Sequence, residues 1–536
     1  MAASGMVIRA VVATAALHSA AVDTAEHRSP REMSAPAPPL PPQQPWQRPR
    51  IHGTPACFNA GGPHDVAGAL YLGGVWHVMA GCWSLGGWQH MTSRDLVHWE
   101  EVGRPTAFGG SGELVHDAAS GQVVAVANDL DAWTSPDQSN LTEWKSIGSL
   151  YHSPLGGQDP TAWYGADGKW YIATASKVGH GYEDMWSSAS LAPGGWRRVG
   201  QLFEDTSSAL VPGHPYSHEF VTPQYFGPIP GGAPDSRVFL TSTYGDIEHS
   251  GGVPRTGIYN FAMFYVGTAL PNGSFAANRT LDTAVDWSCF VPSAATTGGI
   301  DLAWEHGGTQ YGCCPKTAAG PGGRRVLFGW LQHGTSDGDM PGRGPNTDNA
   351  FTLPRDLTVG PGGEVLQRFV PELQGLRVGP ANSTTKAGLS TVAAANAVEL
   401  GIAGGQLELV AGITMASGAA GCDAGLTVLA GGTQFTAVGV NLSSGLAYID
   451  RTRSGLPSDA DVRAGPLAAA AASAAAEIQM HVYVDRSIVT VIVNNRTALT
   501  AWVHPDEGSL KVGAYGTCAA GSVSVTAAGY SLASVQ

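Results

Sequence analysis

At 536 residues the chain is longer than one hydrophobic core usually serves, so two domains are expected. A composition with 13% charged residues, 72 Gly and 15 Trp excludes a disordered chain, and a net charge of -14 without a clustered basic face excludes a nucleic-acid partner. No apolar run reaches the length that spans a bilayer, so no membrane partner is expected.

Residues 1–22 carry one Arg, a short apolar stretch and small residues, and read as a secretory signal, with a transit peptide as the rival reading. A proline-rich stretch follows, and 23–47 is taken as a linker. From there the chain becomes a series of short runs rich in aromatic and branched residues, bounded by Gly, Asp or Pro: GALYLGGVWHVMAG, GQVVAVAND, GKWYIATAS, RVFLTSTYG, NFAMFYVGT and RRVLFGWLQ. Such runs are strands, and their wide spacing leaves room for less regular strands between them. Sheets arranged radially in a propeller fit this pattern, and a large β-sandwich is the rival. A second β-rich unit, 385–536, contains QLELVAGIT, AYIDRT, IQMHVYVDRSIVTVIVNN and SVSVTAAGYSL, whose alternation fits packed sheets. The alanine-rich segment 465–478 is expected to form a loop between strands, despite its helical propensity.

Seven cysteines show no CxxC pair, which argues against a zinc or redox motif. A Cys422–Cys518 disulfide is the expected pairing, and the odd count leaves at least one thiol free or bonded to another chain. Six sequons begin at Asn140, Asn272, Asn278, Asn382, Asn441 and Asn495, and would be glycan acceptors in a secreted or vacuolar protein. The histidines lack the spacing of a metal site, so neither a metal nor an organic cofactor is expected.

Three carboxylates stand where a loop turns into a strand. Asp65 lies in GGPHDVAG and Asp159 in GGQDPTAWYGADGKWYIATA. For a lone Asp in such a place, bonding its own turn is the commoner fate. Glu219, in YSHEFVTPQYF, is not a turn residue, and its aromatic neighbours Tyr216, His218 and Phe220 suit a carboxyl that holds its proton near neutrality. Radial sheets would bring all three to one central pocket, and two carboxyl groups suffice for glycoside hydrolysis. Trp83, Trp88, Phe108 and Trp163 would offer flat faces to sugar rings, although most Trp residues in such a chain belong to the core.

With these residues in hand, the chain resembles glycoside hydrolase family 32, from about residue 48 to the end. RPRIHGTP (48–55) looks like the family's opening segment and SRDLVHW (93–99) like its signature. FGGS (108–111) resembles the fructose-contacting motif, QDP (158–160) the RDP motif and HEFVTPQYF (218–226) the region of the acid/base glutamate. LPRDLTV, LQRFVPEL and VDRSIVTVIVNN follow in the family's order.

The resemblance implies an all-β protein: a five-bladed propeller over 48–375 and a β-sandwich over 385–536. It implies a retaining hydrolase that cleaves β-fructofuranosidic bonds of sucrose or fructans. Asp65 would be the nucleophile, Glu219 the acid and base, and Asp159 the stabiliser of the transition state. The Asp65 and Glu219 carboxyls would then stand roughly 5 to 5.5 Å apart. Trp83, Trp88, Phe108, Gly110, Ser111 and Gln158 would contact substrate. The chain departs from the family in reading HDVAG for NDPNG and Gln158 for the RDP arginine. A fructosyltransferase and an inactive carbohydrate-binding relative are the alternatives, and an acidic pH optimum follows from the need for a protonated Glu219.

Overall fold

The computed structural model describes residues 45–55, 65–82, 86–137, 140–152, 157–175, 182–204, 219–246, 258–288, 290–292, 300–302, 310–311, 314–332, 349–455, 462–467 and 477–535. The first four strands, β1 (Val66–Leu72), β2 (Val75–Gly81), β3 (Trp88–Ser93) and β4 (Glu100–Gly103), pair antiparallel in chain order. The same meander recurs in β5 (Gly112–Asp117), β6 (Gln122–Ala127), β7 (Asp131–Thr134) and β8 (Lys145–Ser149). A third set is β9 (Gln158–Tyr164), β10 (Trp170–Ala175), β11 (Tyr182–Ser188) and β12 (Arg197–Glu204). The fourth is β13 (Glu219–Phe226), β14 (Ser236–Asp246), β15 (Ile258–Ala269) and β16 (Phe275–Ala277), with β17 (Thr283–Ala284) also on β15.

Two minor sheets interrupt the pattern. One pairs β18 (Phe290–Pro292) with β19 (Ile300–Leu302), and the other holds β20 (Gln310–Tyr311), β23 (Trp330–Gln332) and β24 (Ala350–Phe351). The fifth meander is β21 (Lys316–Ala319), β22 (Arg325–Phe328), β25 (Arg355–Val359) and β26 (Val365–Phe369). Strands β1, β5, β9, β13 and β21 adjoin one another in a closed ring, β21 returning to β1. These are the inner strands of five blades among the described residues, and they surround the propeller axis.

The inner and middle strands are apolar because both of their faces are covered by neighbouring blades. The outer strands face solvent on one side: β4 reads EEVG and β12 reads RRVGQLFE, with mostly exposed residues.

The sandwich begins with the strand Arg377–Leu389, the edge of a six-stranded sheet that continues through Val523–Leu532, Gln406–Met415, Ile478–Asp485, Ile488–Val493 and Thr497–Trp502. A seven-stranded sheet, built around Asp423–Gly431, Gln434–Asn441 and Lys511–Thr517, packs on it. Leu409, Ile413, Leu426, Val438, Val482, Val491 and Val525 fill the space between them. Cys422 and Cys518 are bonded to each other by a disulfide, as expected, and Cys82 and Cys314 each take part in a further disulfide. The greater part of the alanine-rich segment, 468–476, lies outside the described residues.

Propeller and sandwich share a core in which Phe369, Leu376, Tyr483, Ile492 and Leu532 meet. Buried Arg355 pairs with Asp286 (2.9 Å) and reaches across the seam to Thr500 (3.2 Å). The end of the proline-rich stretch is packed on the sandwich: Gln47 donates to Pro505 O (3.2 Å), and Arg486 donates to Trp46 O (3.1 Å). Asp485, within VDRSIV, accepts from the backbone N–H groups of Arg50 (2.8 Å), Ile51 (2.8 Å) and His52 (3.0 Å). It also bonds His52 Nδ1 (2.9 Å), so this aspartate ties the start of the propeller to the sandwich.

Candidate active site

Every inner strand except that of the fifth blade starts with, or next to, a group singled out from sequence. Asp65 immediately precedes β1, Ser111 precedes β5, Asp159 is second in β9 and Glu219 opens β13. Since the five inner strands ring the axis, their first residues converge at one end of it.

Local backbone geometry aims these groups. In β1 the register shifts between Val66 and Gly68, in β9 opposite Ala173 and Ala175, and in β13 between Val221 and Gln224. Each shift inserts one extra residue, a β-bulge, beside a carboxylate-bearing strand start. The strained positions are Asp159 (φ 48°) and Thr222 (φ 46°), both non-glycine residues in the left-handed region. The return is visible in the bonding: the Thr222 N–H donates to Asp159 Oδ2 (3.2 Å), and the Asp159 N–H donates to Asn128 Oδ1 (2.8 Å).

Asp65 accepts a short hydrogen bond at Oδ2 from the Ser111 hydroxyl. Burial pushes its carboxyl up to about 7, and the neighbouring Asp159 charge adds to the rise; the Ser111 bond and the Lys316 cation pull the other way. Two carboxyls that influence each other in this way titrate as a pair.

The FGGS turn is held from beneath. Trp88 Nε1 donates to Gly110 O (2.6 Å), and the Trp88 ring meets Phe108 at 4.6 Å. Phe108 in turn packs against Trp133 and Trp144. This corrects the expectation of sugar platforms: Trp88 is 0% and Phe108 3% exposed, so neither ring presents a face to a ligand. Trp163 likewise stacks on Tyr171 at 5.4 Å against the core. Gly110 has φ 63°, and a Cβ there would run into the Asn128 amide that holds Asp159, so glycine is required on both counts.

Gln158 is half-buried at the head of β9, beside Asp159. Trp83, Tyr216, His218 and the Glu219 side chain lie outside the described residues, and with them the Asp65 to Glu219 spacing. Phe220, next to Glu219, is fully buried.

Sequence reasoning missed Asn128, Glu113, Lys316 and Gln224. Glu113 was detectable in principle, as a charge in GELVHD at a position whose strand neighbours are buried. Lys316 and Gln224 carry no such mark.

Comparison with known proteins now adds to this geometry. Residues 372–528 match the family model described as "Glycosyl hydrolases family 32 C terminal". The C-terminal part belongs to glycoside hydrolase family 32, and the chain resembles that family's members along most of its length. Over 504 residues it is 24% identical to a levanase of Bacillus subtilis (strain 168), covering 86% of this chain and 67% of that one. Over 374 residues it is 24% identical to a fructan 6-exohydrolase of Triticum aestivum, covering 62% of this chain and 58% of that one. The crystal structure of fructan 1-exohydrolase IIa from Cichorium intybus superposes with a TM-score of 0.69 at 17% identity, covering 92% of this chain and 98% of that one. The chain is a glycoside hydrolase with the propeller and sandwich architecture of these enzymes.

Proposed function

We propose that this chain is a retaining β-fructofuranosidase that releases fructose from sucrose or fructans. The observation that carries the reading is the Asp65, Ser111 and Asp159 cluster, gathered from three inner strands onto the axis and aimed by bulges. The relatives named as a levanase and a fructan exohydrolase support the substrate class.

In this reading an Asp65 carboxylate oxygen attacks the fructosyl C2 while the bond from C2 to the leaving oxygen breaks. Glu219 gives its proton to that oxygen. Glu219 then takes a proton from water, the water oxygen bonds to C2, and the ester to Asp65 breaks, restoring the enzyme. Asp159 accepts hydrogen bonds from fructosyl hydroxyls, its orientation fixed by the Thr222 N–H. Ser111 holds the Asp65 carboxyl in one rotamer for attack. Passage through the secretory pathway is part of the proposal, supported by the Cys422–Cys518 disulfide and the six sequons.

Fructose release from sucrose, inulin and levan by the purified protein tests the reading, with Asp65→Asn and Glu219→Gln beside it. Loss on the order of 10³-fold or more in both folded variants is expected. Oligosaccharide products longer than the substrate would identify a fructosyltransferase, which uses the same covalent intermediate. A folded wild type that binds these sugars but releases no fructose would replace the hydrolase reading with a binding protein.

A further inference from the structure

Beneath the candidate site the axis carries a second layer of polar groups, contributed by four blades. Glu113 on β5 and Lys316 on β21 form an ion pair of 3.3 Å, their side chains 3% and 0% exposed. Lys316 also donates to Pro223 O (2.7 Å) on β13. Thr161 on β9 donates to Glu113 Oε2 (3.4 Å), and Gln224 on β13 donates to Glu113 Oε1 (3.2 Å).

The Gln224 amide is used at both ends. Its Nε2 also donates to Thr317 O (2.9 Å), while its Oε1 accepts from Thr317 N (2.6 Å) and Thr317 Oγ1 (2.7 Å). A buried ion pair is seldom a gain in stability over apolar packing, so its presence calls for another account.

Chain connectivity supplies one. Glu113 lies two residues beyond Ser111, Thr161 two beyond Asp159, and Gln224 two beyond Thr222. Each group that touches a site carboxylate is therefore followed, roughly 7 Å along its own strand, by a member of the lower layer. The strands thus link the two layers covalently.

We propose, resting on the fructosidase reading, that Glu113 and Lys316 form a positioning couple that holds Asp65 and Asp159 in mutual register and sets a balancing cation below them. Lys316 acts through space and through the strands, without touching substrate. Among the described residues, the charged groups that act on Asp65 are Asp159 from β9 and Lys316 from β21. Around the couple itself stands Arg325 from β22, whose guanidinium lies 4.3 Å over the Phe226 ring and interacts with Glu113. Burial lifts the Glu113 carboxyl above its ordinary range against the pull of Lys316.

The test is the acid limb of kcat/KM between about pH 4 and 9, where the nucleophile must ionise. Lys316→Met removes the cation and shifts the limb upward by on the order of one pH unit. Glu113→Gln leaves the cation unopposed and shifts it downward, the double variant falls between the two singles, and Lys316→Arg keeps the wild-type limb. Thermal midpoints establish that each variant is folded.

A merely structural couple would lower the midpoints and leave the limb in place, or move it the same way in both single variants. Either result overturns the proposal. Carbon-13 titration of the Asp65 carboxyl, assigned by its loss in Asp65→Asn, reads the same shifts without substrate. An inactive wild type with opposite Asp65 shifts would therefore sink the fructosidase reading and keep the couple. An unmoved Asp65 would sink the couple alone.

Discussion

The strand starts at the propeller axis and the seam between propeller and sandwich are both rich in buried carboxylates, and they treat them in opposite ways. At the seam, Asp485 collects three backbone N–H donors and a histidine nitrogen, and Asp286 pairs with Arg355. At the axis, Asp65 faces another carboxylate and is pushed up to about 7. A protein interior tolerates a charge when it is bonded on all sides, and it keeps a poorly compensated one where reactivity requires it. The seam carboxylates hold the molecule together, and in the proposed mechanism the axial ones give up stability for chemistry.

The sharpest way to break this comparison is to remove one member from each side. Asp485→Ala leaves the donors of Arg50, Ile51 and His52 without their acceptor, and should cost about 3 to 5 kcal/mol in denaturant unfolding while kcat at low temperature stays near wild type. An equal loss of kcat would make the seam part of the site.

Asp65→Asn should do the reverse. Because its carboxyl is raised in the fold, the native state holds a proton that the unfolded chain gives up at ordinary carboxylate pH. Stability therefore falls as pH rises from about 4 to about 7, and the penalty is complete above that window. Asn carries no such penalty, so the variant should be more stable than wild type at pH above 7 by on the order of 1 to 3 kcal/mol, with the gain vanishing near pH 4. Calorimetry across pH reads the sign directly. The same rise predicts an acid limb of kcat/KM above the ordinary carboxylate range, which moves the expected optimum from frankly acidic toward neutral.

Two smaller changes sharpen the contrast on the axial side. Gly110→Ala forces a side chain into the left-handed region and into Asn128, costing about 1 to 2 kcal/mol and, through the Asp159 N–H, lowering kcat/KM by roughly 10- to 100-fold. Trp88→Phe deletes the bond to Gly110 O and leaves a small cavity where the indole packed, for a loss of about 2 kcal/mol and a modest rise in KM. A wild-type KM in that variant would separate the FGGS turn from substrate binding.

The β architecture was legible because inner and middle strands are covered on both faces and read as apolar, aromatic runs. The outer strands were not, since EEVG and RRVGQLFE owe their conformation to a neighbour and show no pattern of their own. Asp65 and Asp159 stood out through their motifs. Glu113 and Lys316 are 203 residues apart, and no local signal couples two positions so distant.

Aromatic residues misled in a different way. A tryptophan near a motif announces apolar contact without saying whether the partner is a sugar or the protein, and Trp88 and Phe108 turned out to face inward. SRDLVHW and VDRSIV, the most recognisable letters in the chain, serve the backbone. Asp95 accepts from the N–H groups of Val97 (3.0 Å) and His98 (2.8 Å) to close a turn, much as Asp485 closes the seam.

The bulges at the heads of β1, β9 and β13 have one more consequence. An extra residue at a strand head stands outside the ladder, so a change at that residue leaves the pairing of the sheet below intact. Substitutions around Asp65 and Asp159 can then accumulate without unravelling a blade. HDVAG and QDP, which depart from the motifs they resemble, both sit at such strand heads, where a new side chain need not disturb a ladder.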